Sequence, residues 1–134
     1  MADDVIVVDN EYITVRYVAD KEFIHHTIHK PIGDQTFKEA LMTGTETLIE
    51  YGACKWLSDD RKNGPVSTEV IEWGYREWNP LTIEAGWKYW ALVVPTEVVS
   101  AGSLAPTINA LHKMGLSVMA FDDLNKAIAW LDSL

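Results

Sequence analysis

The sequence of 134 residues lacks several features that would place a protein in a class at once. Its one cysteine, Cys54, excludes an intramolecular disulfide, and we therefore expect a reducing compartment, the cytoplasm. No apolar run approaches the roughly 18 residues of a transmembrane helix, and the start of the chain lacks the cationic region of a signal peptide. Basic residues are scarce, at 11 against 20 acidic ones, and the net charge is −9. Because such a chain repels phosphate groups, we expect neither nucleic acid nor a membrane as its partner.

Sequence motifs for catalysis and for cofactors are also missing. The chain has no Gly-x-Ser-x-Gly nucleophile elbow, no phosphate-binding loop and no dinucleotide-binding fingerprint. Three histidines lie close together at His25, His26 and His29, in a segment that reads as a strand. On a strand His25 and His29 would lie roughly 13 Å apart, which is too far for two ligands of one zinc ion. We therefore expect no enzymatic activity, no cofactor and no metal.

What the sequence does contain is a clear periodicity of apolar residues. Three alternating segments at 5–8, 12–18 and 23–29, joined by short links, predict an antiparallel meander. From residue 37 the apolar residues recur at steps of three and four, which is typical of an amphipathic helix, and Gly52 is well placed to end it. Further strands are predicted at 53–58, 87–94 and 116–121, and further helices at 67–78, 103–114 and from 122 onward.

These elements predict the fold class. Their order is βββ-α-β-α-β-α-β-α, and the length fits a single domain over residues 1–134. Strands that alternate with helices need parallel crossovers, so we expect an α/β fold with one mixed sheet of about six strands. Four helices should lie mainly on one face of this sheet, because the polar faces of segments 12–18 and 23–29 favour solvent.

Two local segments, together with the order of elements, resemble a known family. They are residues 55–63 (KWLSDDRKN) and residues 121–131 (FDDLNKAIAWL). Over residues 5–134 the chain resembles the SpoIIAA-like domains of the STAS type, the anti-sigma-factor antagonists, and within them a bacterial STAS-like subfamily without a settled role. The resemblance implies a SpoIIAA-like fold and a non-enzymatic module that binds a partner protein.

The resemblance also implies a possible phosphorylation site. In some members of the family a serine or threonine at the start of the helix after the matching strand is phosphorylated. Here residues 64–68 (GPVST) hold that place, without the family's Asp-Ser-Ser/Thr-Gly pattern. Ser67 and Thr68 are the candidate phosphoacceptors.

The connection from Ser58 to Thr68 is the candidate site. It lies at the carboxyl edge of the predicted parallel strands, where open α/β sheets usually bind their ligands. Arg61 offers a bidentate fork for a carboxylate or a phosphate, although it could equally pair with its neighbouring acids while Ser67 caps a helix. The family's partner-binding surface maps onto the same segment. The candidate binding residues are Ser58, Asp59, Asp60, Arg61, Asn63 and Trp73.

Six tryptophans are many for a chain of this length. Core packing accounts for Trp56, Trp78 and Trp90. Trp73 and Trp87 are better candidates for a pocket or a partner surface, because half-buried indoles are typical of recognition sites, and strand alternation places Trp87 and Trp90 on opposite faces. The surplus of tryptophan and the exposed edge of a meander also favour a homodimer.

Three functions remain open from the sequence. The first is a non-enzymatic regulatory or binding module that recognises a protein or a small ligand through residues 58–68. The second is a carrier of small apolar ligands, because STAS-like and Sec14-like sheets look alike at this level, although so short a chain should leave little volume for a cavity. The third is an enzyme whose carboxyl-edge aspartates, 59–60 and 122–123, hold magnesium. Against this enzyme, no lysine ends the last strand, and Asp122 is the natural N-cap of the last helix.

Overall fold

A computed structural model describes residues 4–134 and contains one six-stranded sheet flanked by helices. The strands are β1 (Val5–Asp9), β2 (Ile13–Val18), β3 (Phe23–Ile28), β4 (Lys55–Asp59), β5 (Tyr89–Val93) and β6 (Ser117–Phe121). The helices are α1 (Asp34–Tyr51), α2 (Thr68–Trp73), a π-helical segment (Gly74–Trp78), α3 (Asn79–Glu84), α4 (Thr96–Ala101), α5 (Ala105–Lys113) and α6 (Leu124–Asp132).

The sheet follows the order of the chain, β1-β2-β3-β4-β5-β6. The pairs β1–β2 and β2–β3 are antiparallel, whereas β3–β4, β4–β5 and β5–β6 are parallel. This arrangement confirms the predicted α/β class and the mixed six-stranded sheet. The early meander and the late crossovers are both present because short links permit only antiparallel neighbours, whereas each helix returns the chain for a parallel one.

The number of helices differs from the prediction, because residues 4–134 form six α-helices where four were expected. The helix that begins after Ser67 does not end at Asn79-Pro80. A π-helical turn absorbs the break, with Asn79 N–H donating to Gly74 O, and Pro80 then lies in the first turn of α3, where its missing N–H is not needed. The segment Thr96–Ala101, predicted as a connection, forms α4 and ends at Gly102 in the left-handed conformation.

The two faces of the sheet carry separate cores. On the first, called the α1 face, β2, β3 and β4 direct residues such as Val15, Ile24 and Trp56 toward α1, while α2, α3 and α5 also contribute to this core. On the opposite face, called the α6 face, α6 packs through Ala127 and Leu131. The helices therefore lie mainly on one face, as predicted.

Helix α1 packs closely against β4 at Gly44 and Trp56. Trp56 is fully buried beneath Gly44, where any Cβ would overlap the indole ring. Trp87 is also fully buried in this core, with its ring centroid 4.9 Å from that of Trp90. Trp87 precedes β5, so strand alternation does not apply to it, and the prediction that Trp87 and Trp90 lie on opposite faces is wrong. Trp87 is a core residue.

None of the helices within residues 4–134 combines the length and the apolar character needed to cross a membrane.

Candidate functional site

A cleft of about 570 Å³ opens on the α1 face, at the carboxyl edge of β4 and β5. Asp60 and residues 63–66 of the loop line part of it, and the remaining walls come from β3, β5, α1, α2, the π-helical segment, α3, α4 and α5. Five aromatic side chains line it: Phe37, Trp73, Tyr75, Trp78 and Trp90. This volume lies within the roughly 300–1,000 Å³ of pockets that bind small molecules. The expectation that so short a chain leaves little room for a cavity is therefore wrong.

Few polar groups reach this cleft. Among the lining residues of the described chain, 4–134, Asp60 carries the only formally charged side chain at neutral pH, if His26 is neutral. Asp60 directly follows β4, and its backbone N–H donates to Val93 O at 2.9 Å, which fixes it against the end of β5. Asn63 also lines the cleft, and its Oδ1 accepts from the backbone N–H of Ile32 at 3.4 Å.

His26, on β3 beneath the cleft, is hydrogen-bonded to the carboxylate of Asp60. His26 Nε2 lies 2.7 Å from Asp60 Oδ1, and Trp56 Nε1 donates to His26 Nδ1 at 3.0 Å. An indole nitrogen can only donate, so Nδ1 is an acceptor without a proton. The ring is therefore neutral, with its proton on Nε2, and it donates to Asp60. A neutral imidazole leaves the negative charge of Asp60 uncompensated.

Ser58, His26 and Asp60 form a hydrogen-bonded series, but not one that activates a serine. Ser58 Oγ lies 3.4 Å from His26 Nδ1, the atom that already accepts from Trp56. Ser58 is fully buried and accepts a hydrogen bond from Trp90 Nε1 at 2.8 Å. A nucleophile needs an accessible oxygen and a base nitrogen that is free to take its proton. Ser58 instead fixes the orientation of the Trp90 ring.

Asp59 and Arg61 lie on the other face of the sheet. Strand β4 includes Asp59, so its side chain alternates to the α6 face, together with Leu57. Arg61 Nε and Nη2 donate to the two carboxylate oxygens of Asp59 at 2.9 and 2.8 Å. Burial raises the pKa of Asp59, but the hydrogen bonds and the charge of Arg61 outweigh it and leave that pKa below its ordinary value. The bidentate fork predicted for an external anion is engaged within the chain.

Trp73 lies at the cleft with Asp60 and Asn63, so the structure brings three of the six predicted binding residues together there. The Trp73 ring is half-buried and stacks on Trp78 at a centroid distance of 6.3 Å. Lys38 Nζ also lies 5.6 Å from the centroid of the Trp73 ring. Ser58, Asp59 and Arg61 lie beneath the cleft or away from it.

The two candidate phosphoacceptors differ in their environments. Ser67 is the N-cap of α2, where its Oγ accepts from Val70 N–H at 3.1 Å and donates to Asp34 Oδ2 at 2.9 Å. A phosphate on Ser67 would be favoured by the N-terminus of α2, but it would remove the hydroxyl proton donated to Asp34 and lie beside that carboxylate. Thr68 is exposed in the first turn of α2. Phosphorylation at either residue stays a prediction.

Two of the carboxyl-edge aspartates, Asp59 and Asp123, are engaged in contacts within the chain. Asp123, rather than Asp122, is the N-cap of α6, and its side chain accepts from Lys126 N–H at 3.1 Å. Over residues 4–134, no group of three or more His, Cys, Asp or Glu side chains is arranged to hold a metal ion. With Asp59 paired to Arg61 and Asp123 capping a helix, the magnesium alternative has no ligand set in this part of the chain.

Sequence reasoning missed most of the walls of the cleft. It assigned Trp78 and Trp90 to the core and gave His26 no role, although all three line the cleft. A signal for His26 was present, because it is the one polar residue between Ile24 and Ile28 on an otherwise apolar strand face. The connection 95–103 was expected at the same carboxyl edge, but the helix α4 within it was not predicted.

We compared the chain with protein-family models, with curated proteins and with solved structures, and found no match in any of the three. The STAS-type resemblance therefore remains a prediction from the sequence.

Proposed function

We propose that the protein is a non-enzymatic binding module that takes up a small, mainly apolar organic molecule in the cleft of the α1 face. The observation that carries this proposal is the cleft itself, about 570 Å³ in volume and walled by five aromatic rings. Two of the functions considered from the sequence are compatible with this cleft: a binding module that recognises a small ligand, and a carrier of small apolar ligands. An apolar ligand gains free energy by leaving water for such a surface, at about 25 cal/mol for each Å² buried.

The shape of the site favours a small molecule over a protein surface. The rings of Trp78 and Trp90 line the inside of the cleft, and Trp78 is almost fully buried. A flat protein surface would not reach these rings, whereas a small molecule that enters the cleft would contact them. Exposed Val66 and Ile71 at the rim extend the apolar surface outward, so a ligand has a continuous path from solvent.

The polar groups favour binding over catalysis. His26 uses both ring nitrogens in hydrogen bonds, and Ser58 lies beneath the surface of the cleft. General acid–base chemistry requires a group that can exchange a proton with the substrate. Only the carboxylate of Asp60 combines charge with access to the cleft, and a single such group can position a ligand.

Narrowing the cleft tests the proposal. The double variant Val98→Trp/Thr107→Trp adds two indoles to half-buried lining positions on α4 and α5. The matched control, Val99→Trp/Asn109→Trp, adds the same groups to the same helices at residues that do not line the cleft. We expect the neutral fluorescent probe N-phenyl-1-naphthylamine to bind the parent protein saturably, and the first variant to bind it at least about tenfold more weakly.

The control variant should bind this probe as the parent does. Circular dichroism and thermal unfolding establish that both variants are folded. Equal affinities for the parent and the narrowed variant would place the probe outside the cleft, and absence of binding to the parent would contradict the proposed function.

A further inference from the structure

We infer that the ligand carries a positively charged amine, which binds the carboxylate of Asp60 while its apolar body lies against the aromatic walls of the cleft. The inference rests on the proposed function and names the class of ligand. It follows from three features of the site: an uncompensated charge, an accessible carboxylate oxygen and the chemistry of the surrounding rings.

The charge of Asp60 has no counterion in the described chain. Its one ion-pair contact is to His26, and that ring is neutral because Trp56 donates to its Nδ1. The adjacent carboxylate of Asp59 differs, because Arg61 binds both of its oxygens. A partly buried carboxylate beside an apolar surface is costly unless it is paired, so a cation that entered the cleft would be stabilised there.

The second oxygen of Asp60 is available to a ligand. His26 engages Oδ1, and no side chain or backbone group of residues 4–134 donates to Oδ2. Oδ2 is also not among the buried side-chain atoms that lack a hydrogen-bond partner, so it is exposed to solvent, and Asp60 is a lining residue of the cleft. A carboxylate accepts hydrogen bonds on both oxygens, and a bond from an ammonium group is stronger than one from a neutral donor.

The aromatic walls favour a cation over an anion. The face of an indole, phenol or benzene ring carries partial negative charge and attracts an ammonium group within about 6 Å of its centroid. Tyr75 and Trp90 line the same cleft as Asp60, whereas the ring of Trp73 already stacks on Trp78 and lies near Lys38. The net charge of −9 on the whole chain attracts cations from solution as well. An acid would be repelled by Asp60, and a neutral ligand would leave its charge unpaired.

Three probes with one naphthalene body and different polar ends separate these cases. They are 2-(1-naphthyl)ethylamine, 2-(1-naphthyl)ethanol and 1-naphthaleneacetate, and their affinities for the parent protein are measured by isothermal titration calorimetry at pH 7. We expect the amine to bind at least about tenfold more tightly than the alcohol, and the acetate to bind most weakly.

Variants of Asp60 assign the difference to its carboxylate. Asp60→Asn should remove the preference for the amine over the alcohol, and Asp60→Glu should keep most of it. Asp122→Asn is the matched control, because Asp122 is exposed, lies outside the cleft and loses the same charge. The preference should persist in this control, which excludes an effect of net charge alone.

The outcomes distinguish this inference from the proposed function. If the alcohol binds the parent as tightly as the amine, the inference is wrong while the cleft remains a binding site. If none of the three probes binds the parent protein and N-phenyl-1-naphthylamine does not bind it either, the proposed function itself fails. The comparison of amine with alcohol uses the parent protein, so equal affinities overturn the inference even if Asp60→Asn does not fold.

Discussion

The two faces of the sheet are built on the same strands, yet α6 fills the space over β4 and β5 on one face, whereas the helices on the other leave a cleft. On the α6 face a single amphipathic helix covers β4 and β5, and its Ala127 and Leu131 are fully buried against Leu57 and Ala91. On the α1 face, four of the covering segments are only five or six residues long, namely α2, the π-helical segment, α3 and α4. Short segments that change direction cannot cover a sheet as evenly as one regular helix, and the cleft lies between them.

Neighbouring residues in the sequence are divided between these two faces. His25 and His26 alternate along β3, so that His25 lies on the α6 face and His26 beneath the cleft. Asp59 and Asp60 are divided in the same way, since Asp59 ends β4 and pairs with Arg61 whereas Asp60 faces the cleft. The two aspartates therefore differ in role, because Asp59 stabilises the structure on one face whereas Asp60 is available to a ligand on the other.

A leucine-to-alanine substitution on each face is expected to give the largest difference in the free energy of unfolding. Leu57 and Leu92 lie on the paired strands β4 and β5, and both are buried, but Leu57 packs on the α6 face whereas Leu92 lines the cleft. We expect Leu57→Ala to lower the free energy of unfolding by about 4 kcal/mol and Leu92→Ala by about 2 kcal/mol. Leu92 loses fewer contacts because one side of it already borders open space.

Chemical denaturation of both variants at pH 7 measures these two values. Equal losses would mean that the cleft wall is packed as tightly as the core under α6, and the comparison between the faces would then fail.

The Asp59–Arg61 pair gives the next largest effect. Arg61→Ala leaves the buried carboxylate of Asp59 without its partner, and we expect a loss of about 2 to 3 kcal/mol in unfolding free energy, because water reaches the outer side of the pair. The pKa of Asp59 should rise, since burial then acts without the opposing guanidinium. Arg76→Ala is the control, because its pair with Glu72 is exposed and should contribute far less.

Denaturation curves and an NMR titration of the Asp59 carboxyl check both parts of this prediction. If Arg61→Ala weakens binding of the naphthyl probes without lowering stability, Arg61 serves the ligand rather than the fold.

The fold class could be read from the sequence because periodicity and link length depend on local residues. The site could be predicted only in part, because the position of the end of β4 was predicted one residue too early. The predicted strand ended at Ser58 and placed Asp59 in a loop with Asp60, whereas β4 extends through Asp59. That one residue sends the Asp59 side chain to the opposite face. The local pattern around Asp59 does not reveal how far pairing with β3 and β5 continues.

The walls of the cleft could not be predicted for a different reason. The aromatic residues that face it also pack against one another, as Trp78 does against Trp56 and Trp90. An apolar side chain that lines a cavity has the same sequence pattern as one that fills a core. Only the placement of α2, α4 and α5 relative to each other distinguishes the two, and that depends on contacts between segments far apart in the chain.

The smallest expected effect concerns His25 and the pH dependence of the α6 face. Burial, first of all, together with the positive charge of Arg16, lowers the pKa of His25 to about 4, while the Asp59 carboxylate opposes this shift. In the unfolded chain an imidazole has a pKa of about 6.5. Between these values the unfolded state binds more protons than the folded state, so stability falls as the pH falls from about 6.5 to about 4 and this loss is complete below that range. His25 is partly exposed, so we expect the unfolding free energy to fall by about 1 to 2 kcal/mol across this window rather than by the full value of the shift.

Unfolding free energies of the parent, of His25→Gln and of His112→Gln, measured by denaturation at pH 7 and pH 4.5, test the prediction. His112 is exposed on α5, so His112→Gln should retain the pH dependence of the parent, whereas His25→Gln should lose this part of it. A pH dependence that is the same in His25→Gln as in the parent would mean that His25 stays as accessible to protons in the folded chain as in the unfolded one.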